Sequence, residues 1–195
     1  MSGWKVFGSR VKRLEDPALL TGQGRFVDDI ILPEMLHAAF VRSPHGHAKI
    51  TEIDVEQARS MDGVHAVYTL NDFRPHLTNE RLVVGLPSPA YKQELDRPTL
   101  ADGEVVYVGE PVAIVVADTR YIAEDATAIV IVDYDILPAV ADCRAALEDG
   151  SPLAHSSSPH NILAQFDMGY GEVDFVFESA PHVYSESMWQ HRGGS

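Results

Sequence analysis

Residues 104–117, EVVYVGEPVAIVVA, decide the fold. Two β-branched runs, 104–108 and 111–117, flank Gly109-Glu110. The second run lacks polar alternation. That is the pattern of a strand covered on both faces, so it predicts a central strand. Pro111 has no N–H to give to a ladder and is tolerated at the first strand position. On this reading Ile114, Val115 and Val116 are fully buried, each stabilising by about 1.5–3 kcal/mol.

Downstream, Asp118-Thr119 supplies a helix N-cap. Ile122, Ala126 and Ile129 follow at i, i+4, i+7, with Glu124 and Asp125 facing away. Residues 130–135, VIVDYD, read as the next strand. Strand, helix and strand in close succession predict a parallel pair joined by a right-handed crossover.

Upstream, 36–42 (LHAAFVR) is a short apolar run stopped by Ser43-Pro44, and 48–54 (AKITEID) reads as a half-buried strand, or as a strand with one irregular step. The turn chemistry of SPHGH between them predicts a hairpin. Residues 55–61 have helical composition with Asp54 as N-cap, and 64–69 (VHAVYT) alternates as a strand. Residues 71–103 carry Pro75, Pro87, Pro89 and Pro98 and form no continuous element. A loop that long either wraps a partner or is a surface connection, here held by Leu82, Val83, Val84 and Leu86. The fold class is α+β with a mixed sheet, over residues 1–149.

Composition shifts near residue 150. Gly150-Ser151-Pro152 and the 156–159 stretch SSSP read as a linker. Val173, Val176, Phe177 and Ala180 show helical spacing, and 182–190 (HVYSESMWQ) alternates as a strand. Such a tail cannot close a core alone. It leans on the first domain or on something outside this chain, and residues 170–190 are expected to be disordered or packed in a dimer or partner contact, since Val176, Phe177, Val183 and Trp189 otherwise form an exposed apolar patch.

The 195 residues are 45% apolar and 23% charged, which is globular composition. Net charge is −14, so the surface repels phosphate, arguing against nucleic acid and anionic membranes as partners. Lys5, Arg10, Lys12 and Arg13 concentrate four of the fifteen cations in a basic N-terminal arm. Charges fall where a signal peptide's apolar region would sit, and the longest apolar run, 112–117, is far too short to span a bilayer. A soluble, cytoplasmic protein is expected. Cys143 is the only cysteine and has acidic neighbours in Asp142, Glu148 and Asp149. It reads as a structural thiol, which excludes disulfides and cysteine-based metal clusters.

Motifs for chemistry are sparse. Gly22-Gln23-Gly24 and Gly169-Tyr170-Gly171 lack the strand, third glycine and helix of a dinucleotide site. His45-Gly46-His47 has no third zinc ligand nearby in sequence and fits a turn better. Asp28-Asp29 and Asp133/Asp135 are paired carboxylates that read as solvent-facing. No catalytic, cofactor-binding or metal-binding residue is assigned.

Four blocks carry a family resemblance. They are Arg13-Leu14-Glu15-Asp16 with 20–30 (LTGQGRFVDDI), 36–50 (LHAAFVRSPHGHAKI), 107–113 (YVGEPVA) and 132–140 (VDYDILPAV). In order and spacing they resemble the start of the large subunit of molybdenum hydroxylases: xanthine dehydrogenase, aldehyde oxidase and aerobic carbon monoxide dehydrogenase. The resemblance implies an a/b hammerhead domain at 1–149. It places a linker and the first elements of a molybdopterin-binding domain at 150–195. It also implies a molybdenum–pterin cofactor, in bacteria often the cytosine dinucleotide, held by the full subunit. An FAD-binding medium subunit and a [2Fe–2S] small subunit are the implied partners, and a homo-oligomer is compatible with them. The family hydroxylates an aldehyde, an N-heterocycle or CO with water as oxygen source. Its cofactor loops and catalytic glutamate fall after Ser195, so this stretch is expected to supply scaffold and interfaces and to be inactive alone. Because fold does not dictate function, a free-standing hammerhead binding or assembly module is the alternative. A hydrolase built on His45, His47 and the Asp pairs is a third.

Overall fold

The computed structural model describes residues 8–82, 88–93 and 96–188. In chain order the elements are α1 (Asp16–Leu20), β1 (His37–Arg42), β2 (Ala48–Asp54), α2 (Glu56–Arg59), β3 (Val64–Thr69), α3 (Leu70–Phe73), β4 (Arg81–Leu82), β5 (Arg97–Pro98), β6 (Glu104–Val105), β7 (Pro111–Ala117), α4 (Arg120–Thr127), β8 (Ile131–Ile136) and α5 (Val173–Ser179). Contacts divide the chain into two units, 1–80 with 98–138, and 81–97 with 139–195.

The first unit is an α+β body built on β7. β1 and β3 pair with its two edges, both antiparallel, which makes β7 the middle strand of a three-stranded sheet. Ala113, Val115 and Ala117 are fully enclosed on one face. Ala123 and Ala126 of α4 pack in the same cluster. Alanine on both partners leaves little side chain between helix and sheet, so the helix axis comes close. The Thr119 hydroxyl accepts the Ile122 N–H at 3.2 Å, the N-cap expected at 118–119. Ile114 and Val116 face the other way and remain half-buried, short of the full burial expected of them. Phe40 and Tyr68, the cross-strand neighbours of Ile114, are themselves exposed.

In a second sheet, β2 lies between β6 and β8, again antiparallel. The register shift between Ile50 and Glu52 is the irregular step read from the sequence. Ala48, Ala101, Val105 and Val112 form a small core here, and Ile53 and Val132 pack against both cores. α2 is a single turn, with the Asp54 carboxylate accepting the Glu56 N–H at 3.0 Å one residue ahead of the cap position.

Three local expectations fail. The 43–47 hairpin does not form. After β1 the Ser43 N–H donates to the Glu110 carbonyl and the Gly109 N–H donates to the Ser43 carbonyl, at 2.9 and 2.7 Å, and the chain crosses to the other sheet. The parallel β7–α4–β8 crossover also fails, because β1 and β3 occupy both edges of β7 and β8 pairs with β2. The 104–108 strand stops at Val105. The buried Glu110 carboxylate accepts the Val106 N–H at 2.6 Å and, with Gly109 at φ +88°, turns the chain between sheets.

The second unit has little regular structure. Residues 150–159 contain no helix or strand. They are pinned by Asn161, whose Nδ2 donates to the Ala146 and Pro152 carbonyls at 3.0 and 2.9 Å and whose Oδ1 accepts the Ala154 N–H at 2.8 Å. α5 forms at the spacing read from the sequence but buries no residue. Residues 182–188 form no strand, because no neighbouring edge accepts their backbone among the described residues; Trp189 and Gln190 lie outside those residues. Lys5, Val83, Val84 and Leu86 also lie outside them, while Leu82 is exposed, as are Arg10, Lys12 and Arg13.

Candidate functional site

The buried polar side chains described in the first unit cluster where the chain passes between its two sheets. The 43–47 crossing supplies Ser43, His45 and His47. β6 supplies Glu104, the turn before β7 supplies Glu110, and β8 supplies Tyr134. Ser43, His47 and Glu110 are at most 5% exposed. Polar groups this deep must be hydrogen-bonded, and they are.

His47 is the pin of the cluster. Nδ1 lies 2.9 Å from the Pro138 carbonyl, which can only accept, so Nδ1 carries a proton. Nε2 lies 2.6 Å from Glu104 Oε1, so one further proton sits between ring and carboxylate. The Leu137 N–H closes the same joint, donating to the His47 carbonyl at 3.0 Å. The Ser43 hydroxyl accepts the His45 N–H at 3.0 Å and donates to the His45 carbonyl at 3.1 Å. The His45 ring meets Tyr134 edge-on with centroids 4.9 Å apart. Burial pushes the Tyr134 phenol up, a hydrogen bond with Ser43 opposes the shift, and the charge of Glu110 adds to it.

Ser43 and His47 do not form a nucleophile–base pair. A nucleophilic serine needs a histidine nitrogen on its hydroxyl. Here Nε2 is held by Glu104, and the serine hydroxyl is engaged by the His45 backbone and by Tyr134. The cluster locks two sheets together. Sequence reading singled out His45 and His47 but not their partners. The one local signal was a carboxylate, Glu110, wedged between Gly109 and Pro111 inside an apolar run.

The other candidates are scattered. Asp28 pairs with Arg120, whose hydrogen bond and charge hold the Asp28 carboxyl below the ordinary range. Asp29 accepts the Phe26 N–H at 2.9 Å. Asp133 and Asp135 share the exposed face of β8. Cys143 is exposed. Asp142 accepts the Ala145 and Arg144 N–H groups at 3.0 and 2.7 Å, which lowers its pKa. A cavity in the second unit is lined by Val140, Asp142, Glu148, Asp149 and Pro152. Its carboxylates would repel a phosphate-bearing ligand. Among the described residues no group of three His, Cys, Asp or Glu could hold a metal ion, and no helix is long and apolar enough to cross a membrane.

Residues 21–138 match the family model "Aldehyde oxidase and xanthine dehydrogenase, a/b hammerhead domain". The chain is 41% identical to the nicotine 6-hydroxylase large subunit of Paenarthrobacter nicotinovorans, over 92% of this chain and 22% of that one. It is 36% identical to the carbon monoxide dehydrogenase large chain of Afipia carboxidovorans, over 95% and 24%. In structure it resembles quinoline 2-oxidoreductase from Pseudomonas putida 86, with a TM-score of 0.76 and 38% identity over 90% of this chain and 22% of that one. The chain thus spans about a quarter or less of the length of these relatives.

Proposed function

The chain belongs to the aldehyde oxidase and xanthine dehydrogenase family through its a/b hammerhead domain, and from that premise we propose that it serves as the N-terminal portion of a molybdenum hydroxylase large subunit. The observation that carries this reading is the pairing of near-complete coverage of this chain with under a quarter of these two relatives. In this role residues 1–149 are the hammerhead domain, and 150–195 are a linker and the start of the molybdopterin-binding region. The whole enzyme would hydroxylate an aldehyde, an N-heterocycle or CO with oxygen from water, in the cytoplasm.

A molybdenum–pterin group is implied for the full subunit, with FAD and [2Fe–2S] clusters in partner subunits. The described residues do not fit the molybdenum group. The acidic walls of the 140–152 cavity, with Asp142, Glu148 and Asp149, oppose the phosphate of such a group. In this reading the stretch contributes scaffold and subunit interfaces, and the reacting groups are carried elsewhere in the large subunit. Elemental analysis of the purified 195-residue chain tests the reading. Molybdenum well below one atom per chain, with no turnover of aldehyde or N-heterocycle, is expected. Stoichiometric molybdenum bound to this chain alone would overturn it.

A further inference from the structure

Within the second unit, a short piece of the long 71–103 loop pairs with residues far along the chain. Ser88 starts a turn in which the Tyr91 N–H donates to the Ser88 carbonyl at 3.2 Å. Tyr91 then forms an antiparallel bridge with Ala164. The Lys92 N–H donates to the Leu163 carbonyl at 2.9 Å, and the Gln165 N–H donates to the Ala90 carbonyl at 2.8 Å. Gln93 extends the ladder with its side chain. Nε2 donates to the carbonyls of His160 and Ile162, each at 2.8 Å, which uses both of its N–H groups. Its Oε1 is buried with no partner among the described residues, so the amide is held by those two donors. The adjoining Asn161 side chain bonds to Ala146, Pro152 and Ala154.

We propose that residues 88–93 are a strap that fastens 160–165 through one antiparallel bridge, with Gln93 as the positioning residue that clasps the bend at 160–161. A pairing this short is marginal by itself. Two side-chain bonds from one amide set its register, since they reach alternate carbonyls and a one-residue slip would break both. The strap thereby fixes the backbone from which the exposed segment 166–188 departs.

Hydrogen–deuterium exchange on the whole chain, read residue by residue, tests this. Gln93→Ala is expected to speed exchange at the Lys92 and Gln165 amides about tenfold while leaving Val67 and Val115 unchanged. Gln165→Pro deletes a ladder donor from the other side and is expected to free Lys92 by a similar factor. Unchanged exchange at Lys92 and Gln165 in Gln93→Ala overturns the strap. Equal acceleration at Val67 and Val115 also overturns it, because these residues would then open as one cooperative body rather than as a separate clasp.

Discussion

β7 and α5 are each seven residues long and each rich in apolar side chains, yet β7 is the most enclosed element of its unit and α5 buries nothing. β7 has a partner strand on each edge and α4 against one face. In α5, Val173, Phe175, Val176 and Phe177 stay exposed. Composition therefore says how much apolar surface seeks cover; it does not say whether cover is within reach. A helix of two turns is marginal in water without such cover.

The contrast can be broken or sharpened by substitution. Val115→Asp should abolish the cooperative thermal transition followed by circular dichroism, because an unpaired carboxylate at a fully buried site costs about 4 kcal/mol or more. His47→Ala removes one partner of a buried pair and takes its ring from both Glu104 and the Pro138 carbonyl. Urea titration should show a loss of about 3 kcal/mol, with the partial exposure of Glu104 keeping it below the upper range. Ile114→Ala, on the half-open face, should lose about 2 kcal/mol, the low end for such truncations.

Asp72 sharpens the picture through pH. The hydrogen bond from the Thr69 N–H at 2.7 Å, aided by the Thr69 hydroxyl, lowers its carboxyl pKa. A depressed folded pKa gives stability that is present above the unfolded value and lost as pH falls through the folded one. Asp72→Ala should thus lose about 1 kcal/mol at neutral pH, the size of a cap contribution, and the gap should close below the ordinary carboxylate range. Paired urea titrations across acid pH measure it. Phe177→Asp should have the smallest effect, within about 0.5 kcal/mol, since its side chain is already exposed. A loss matching that of Ile114→Ala would show that α5 is covered after all.

Legibility follows the range of the interaction. The strand at 111–117, the Thr119 cap, the α4 stripe and the irregular step in β2 all rest on residues within a few positions of one another, and all are readable. The 43–47 hairpin is misread because its turn chemistry is real but its strands find other edges. The β7–β8 crossover is misread for the same reason. Of the polar lock, the two histidines stand out in sequence. Glu104 and Glu110 do not, because a carboxylate beside a strand normally faces water.

The order of residues alone dictated the strands at 37–42, 48–54, 64–69, 111–117 and 131–136, where α4 begins, and how acidic the chain is. Side-chain periodicity and backbone restriction by proline and glycine act locally, so they survive in the bare string. Which edge each strand took, and which polar groups met inside, was settled only by the folded chain. Every strand edge offers the same N–H and C=O groups, so the choice among edges falls to packing between residues dozens of positions apart.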